Sequence, residues 1–124
     1  MKLTITGNVP SQKNRKIISI NRATGKPFLR SAPSVKEWRA QAIPQLQQQF
    51  RGFVVTEYPI GVNIVVYYDN KRRHDLDNAL GTVMDALTAS GIIEDDDTSH
   101  IECITVQFGG HDKTNPRVEI YLDE

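Results

Sequence analysis

The stretch LTITG, residues 3–7, alternates apolar and polar positions and predicts a short strand. KIISI and PFLR, on either side of NRATGK and its Gly25 turn, predict two more. At Ser34 the period lengthens. Val35, Trp38, Ala42, Ile43, Leu46 and Phe50 fall on one face of a helix. Its predicted start is the capping box SVKE, in which Glu37 follows Ser34 by three. Pro44 should kink or break this helix, and Gly52 closes the segment. YPIGVNIVVYY is the strongest strand and runs into the charged turn DNKRR. Leu76, Leu80, Val83, Met84 and Leu87 mark a second helix over 78–90, ended by Gly91. IECITVQF and RVEIYL alternate again and predict a closing hairpin through GGHDKTNP. The order of elements predicts one α+β domain over residues 1–124, a mixed β-sheet with two main helices.

Composition narrows the class. A chain of 124 residues suits one modest core, and 39% hydrophobic with 24% charged residues fits a globular protein. No apolar run approaches the roughly 18 residues of a membrane span. MKLTITG is short and polar for a signal peptide. Cys103 is the single cysteine, which excludes an intrachain disulfide framework and suits a reducing cytoplasm. It is expected in the core. The net charge is zero, yet residues 1–73 carry 13 Lys or Arg against 3 Asp or Glu, and residues 74–124 carry 2 against 12. A basic surface for a polyanion and a separate acidic cluster are one consequence; interleaved, self-neutralising halves are the other.

The stretch KRRHDLDN, residues 71–78, raises the chemical question. Lys71, Arg72 and Arg73 lead through His74 into Asp75 and Asp77, like charges two residues apart. On a helix such side chains diverge by about 200°; in an extended segment they share a face. Convergence therefore requires the helix to start after Asp77, itself a good cap. The helix over 78–90 would be about 20 Å long. The next six residues span about 20 Å when extended, so GIIEDDDTSH can return alongside the helix. It would bring Asp96, or with more slack Asp97, to the pair. Crowded carboxylates need a cation between them. Oxygen-only ligands suit a hard ion such as Mg²⁺, with the preceding cations on phosphates. A solvated acidic loop with a helix cap is the bland alternative. An EF-hand would need a glycine at Leu80. His74, His100 and His111 lack zinc-ligand spacing.

The longer run HDLDNALGTVMDALTASGIIEDD resembles the core of the RusA family of Holliday-junction resolvases, small metal-dependent endonucleases of bacteria and their phages. The residues that carry the resemblance are Asp75, Leu76, Asp77 and Asn78, then Asp85, Ala86 and Leu87, then Gly91, Asp95 and Asp96. VPSQKN, FLRSAPSVKEWRAQA and PRVEI are similar to family sequence more loosely. The resemblance implies that Asp75, Asp77 and Asp96 correspond to essential metal-binding carboxylates. Mg²⁺ is then the expected cofactor, with Mn²⁺ a possible substitute. It further implies a homodimer that nicks opposed strands of a four-way DNA junction in recombination and repair, in a family common in prophages. There are two departures. Gly81 stands where some members carry a lysine, a role left to Lys71, Arg72 or Arg73. The segment holding Asp97 and TSH is longer than usual, which keeps Asp97 in competition with Asp96.

Lys13, Asn14, Arg15 and Lys16 are expected on the DNA backbone together with Lys71, Arg72 and Arg73. His74 is expected as an exposed bystander and Asp85 as a structural partner. Asn78 either reaches the metal through water or only begins the helix. Trp38 is expected in the core. A Mg²⁺-dependent junction endonuclease is the leading reading. A branched-DNA-binding module with weakened catalysis is kept open by Gly81. A small-molecule phosphohydrolase fits the widely spread cations less well. The alternating strands and the stripe of the first helix offer apolar surface for a two-fold dimer. No membrane partner is expected.

Overall fold

The computed structural model describes residues 1–10, 16–31, 33–51 and 54–123. In chain order the elements are β1 (Lys2–Thr6), β2 (Lys16–Ile20), β3 (Pro27–Ser31), α1 (Pro33–Phe50), β4 (Ile60–Tyr68), α2 (Leu76–Ser90), β5 (Ile101–His111) and β6 (Arg117–Asp123). They form one mixed sheet of order β1-β6-β4-β5, plus a separate antiparallel pair β2-β3. β4 is central and the most apolar strand. Its Ile60, Val62, Ile64, Val66 and Tyr68 are buried with Leu3 and Ile5 of β1 and Val118, Ile120 and Leu122 of β6. α1 adds Trp38, Ala42, Leu46 and Phe50, and α2 adds Ala79, Val83, Ala86 and Leu87. Each large side chain so buried contributes roughly 1.5–3 kcal/mol.

Three expectations are corrected here. The closing strands do not form a hairpin: β6 crosses β4 and pairs antiparallel with it and with β1, while β5 lies parallel on the far side of β4. β4 is paired on both edges, with β6 and β5, and buries residues on both faces, Val65 as well as Val66. Cys103 is exposed, not core. Ile101 pairs with Ile60 and Cys103 with Gly61, so Glu102 is an extra residue, and the bulge inverts the alternation after it. Ile104 and Val106 then turn to the core. Finally, α1 begins at Pro33 rather than Ser34, and Pro44 does not break it. Proline at the first helical position loses no bond. Pro44 and Ala40, whose carbonyl it leaves without a helical donor, are both exposed, so that carbonyl stands at the solvent side of the helix. Gly52 lies outside the described residues.

α2 connects two parallel strands and therefore runs back along β4. Its start lies at the C-terminal end of β4. The connection over 91–100 lies at the other end, where the Val55 amide donates to the Ile92 carbonyl and the Ile60 amide to that of His100. This crossover decides where the acidic residues stand.

Candidate active site

The chain leaves β4 at Tyr68 and turns through residues 69–75 before α2. The turn is fixed by short polar side chains. Asn8 Oδ1 accepts from the Asp69 amide at 3.0 Å, and Asn70 Oδ1 accepts from the Arg72 amide at 3.0 Å. His74 is exposed, as expected, and packs on its neighbours. Its ring lies flat on Tyr68, centroids 3.6 Å apart and planes 1° from parallel, and Nε2 meets Asn70 Oδ1 at 3.1 Å. Burial lowers the His74 pKa, and the charges of Arg72 and His111 add to this against Asp69. Burial also pushes the Tyr68 phenol up to about 12.

α2 starts at Leu76, two residues earlier than the spacing predicted, because the Ala79 amide already bonds the Asp75 carbonyl. Asp75 is extended at the N-cap, whereas Asp77 lies inside the first turn. Strand alternation therefore does not aim the two carboxylates. Asp75 belongs to a favoured capping type but makes no side-chain cap bond. Its Oδ2 instead takes a 3.3 Å bond from Asn78 Nδ2. Asn78 is 3% exposed, and its Oδ1 is buried without a partner. Asp75 and Asn78 line a cavity of about 660 Å³ with Asn8, Pro10, Arg72 and Arg73. Lys71 is exposed beside it. Thr82 Oγ1 donates to the Pro10 carbonyl at 3.0 Å and holds the N-terminal loop against α2. Nothing in the sequence spacing pointed to Asn8, Pro10 or Tyr68. They meet Asp75 through contacts across the fold.

Asp96 is not brought to this cavity. Glu94 donates its amide to the Tyr58 hydroxyl at 2.9 Å, and Asp97 Oδ1 meets His100 Nδ1 at 2.6 Å. Both fix the connection at the Ile60 end of β4. Asp96 does not line the cavity, and the connection that carries it leaves from the far end of α2, a helix about 20 Å long. The connection does not return alongside the helix as expected: buried Ile92 and Ile93 dock it directly after the Gly91 cap. Asp97 and Asp96 are both exposed, and Asp97 Oδ1 accepts from the Ser99 amide and meets His100. Asp85 pairs with Arg39 at 3.7 Å. Lys13, Asn14 and Arg15 lie outside the described residues, and Lys16 opens β2.

Exposed carboxylates at Asp75 and Asp77 and the partnerless Asn78 oxygen fit a hard divalent cation in donor chemistry. Among the described residues, no three His, Cys, Asp or Glu side chains are gathered to hold one. No helix among them is long and apolar enough to cross a membrane.

The family model described as "Endodeoxyribonuclease RusA" matches residues 7–123. A curated relative from Aquifex aeolicus (strain VF5), "Crossover junction endodeoxyribonuclease RusA", is 38% identical over 72 residues, 58% of this chain and 55% of that protein. The chain thus aligns with about half the length of this relative. The family match takes in β4, the turn at Arg72 and Arg73, Asp75 and the whole of α2, and the chain belongs to the RusA family.

Proposed function

We propose that the protein is a divalent-metal-dependent endodeoxyribonuclease that resolves four-way DNA junctions by nicking opposed strands. The observation that carries this is Asp75. A residue of the best capping type leaves its helix uncapped and faces an arginine-lined cavity instead. Asp75, Asp77 and Asp96 would hold Mg²⁺, with Mn²⁺ as a substitute. Such an ion supplies Lewis acidity toward a phosphodiester and makes water acidic enough to act near neutral pH. Arg72 and Arg73 neutralise the phosphates, Asn78 orients Asp75, and Tyr68 with His74 keeps the turn rigid. Lys13, Asn14, Arg15, Lys16 and Lys71 extend the contact along the DNA backbone.

Within one chain Asp96 stands outside the Asp75 cavity, so the metal set is completed in a homodimer, Asp96 of one protomer meeting Asp75 and Asp77 of the other. Two such sites related by a two-fold axis suit paired cuts. The core leaves little apolar surface for the dimer. β4 and the α1 stripe are consumed by the core, and the exposed large hydrophobics among the described residues are Met1, Ile20, Val54, Phe108 and Tyr121. The test compares a labelled four-way junction with a linear duplex of the same sequence, with Mg²⁺ or Mn²⁺ and an EDTA control. Paired, metal-dependent nicks in the junction alone are expected. Equal cutting of both substrates overturns the junction reading, and tight junction binding without nicks leaves a binding module with weakened catalysis.

A further inference from the structure

Next to the Asp75 cavity lies a second one of about 250 Å³, which shares Tyr68, Arg72 and His74 with it and is closed by Leu76, Phe108 and His111. Its walls are aromatic and apolar, unlike the polar cavity beside it. Tyr68 and His74 form a flat stack, and Phe108 meets His111 edge to face at 5.1 Å. Phe108 is 48% exposed, although Ile104 and Val106 of the same strand pack on the core. Gly110, with φ 140°, and the bulge opposite Val66 and Tyr67 interrupt the regular alternation just after Phe108. Arg72 is the cation common to both cavities.

A ligand for this pair of cavities carries a flat π-face joined to a phosphate. In DNA the π-face is reachable only where a base has left its stack. The branch point of a junction offers such a base; a continuous duplex does not. We propose that the Phe108 pocket receives one unstacked base at the branch point, while the adjoining phosphate lies on Arg72 in the Asp75 cavity. This rests on the branched-DNA reading above and supplies it with a means of telling a junction from a duplex. Aromatic rings serve any base, because every base has a π-face.

The test uses binding in EDTA, where no strand is cut. A four-way junction carrying 2-aminopurine at the branch point is titrated with wild type, Phe108→Tyr and Phe108→Ala. Phe108 is half exposed, and circular dichroism checks that the variants fold. Wild type and Phe108→Tyr should change the 2-aminopurine fluorescence on binding. Phe108→Ala should lose that change and bind about tenfold more weakly. An unaltered signal and affinity in Phe108→Ala overturns the pocket. So does a shift of Phe108→Ala to monomer on sedimentation with the fluorescence change retained, which assigns the ring to a protein interface. Wild type that binds with no change in 2-aminopurine overturns the pocket and leaves the nuclease reading standing. Wild type that shifts the signal yet never cuts with Mg²⁺ overturns the nuclease reading and leaves the pocket standing.

Discussion

Asp75 and His100 show how single side chains are committed at opposite ends of α2. Asp75 gives its helix no cap bond, so Asp75→Asn should melt within about 1 °C of wild type. If Asp75 holds the metal as proposed, the same change removes a ligand charge, and cleavage should fall at least ~100-fold. Junction binding should hold or improve, because a negative charge near phosphates is gone. Cleavage at the wild-type rate would remove Asp75 from the site. His100 is committed to the fold. Its hydrogen bond to Asp97 raises the imidazole pKa above 6.5, with burial opposing and Glu94 adding. The same bond lowers Asp97 below its ordinary 3.8. The raised histidine contributes stability that is complete below pH 6.5 and lost as pH rises through the higher folded value. The Asp97 contribution is present above 3.8 and lost as pH falls through its lowered value. Thermal melts should therefore separate wild type from His100→Gln more at about pH 5.5 than at about pH 9. An equal gap at both would mean that the ion pair does not stabilise the connection.

Among the elements, α1 does more than bury a stripe. Gln41, Gln45 and Gln49 recur every four residues and lie along the free edge of β1. Gln49 accepts from the Thr4 amide at 2.8 Å and donates to the Thr4 carbonyl at 2.6 Å. Gln45 accepts from the Thr6 amide and Gln41 donates to the Thr6 carbonyl, each at 3.0 Å. Side-chain amides thus take the place of a neighbouring strand, and the edge is closed to other chains. Gln49→Ala loses both bonds to Thr4 and a third to the Gln45 carbonyl, about 0.5–1.5 kcal/mol each. The melting temperature should drop by about 4 °C, and hydrogen exchange at the Thr4 amide should speed up while β4 amides keep their protection. Uniform protection across β1 and β4 in the variant would show that the glutamines do not hold the edge.

For the whole molecule, the decisive property is that Asp75 and Asp77 stand at the start of α2, while the connection carrying Asp96 leaves from its far end. If a dimer completes the site, Asp75→Asn and Asp96→Asn should each be inactive alone, and a refolded mixture of the two should recover nicking. A mixed dimer keeps one site with both natural contributions. A mixture as inactive as its components would mean that each chain builds its own site. Sedimentation at micromolar concentration should give about twice the 14.0 kDa chain mass. The opposed charge of the two halves is only partly kept apart in space. Arg39 pairs with Asp85 and Lys2 with Glu119, at 3.7 and 3.6 Å, while Arg72 and Arg73 stay at the cavity.

The sequence by itself determined the kinds and order of the elements, the apolar stripes of both helices, the glycine stop at Gly91 and the importance of the stretch from Lys71 to Asn78. Those features depend on local period and spacing, and a chain carries them wherever it folds. The third dimension decided what spacing leaves open. A strand pattern does not say which neighbour it pairs with, so β6 crossed β4 instead of returning to β5. One extra residue, Glu102, reverses the side chains that follow it as far as the second bulge at Gly109, and Cys103 moved to the surface. Reach along the chain allowed Asp96 to come back to Asp75, but the burial of Ile92 and Ile93 fixed the connection at the far end of α2. Chain length sets only the greatest distance two residues can close, and packing selects which distances are closed.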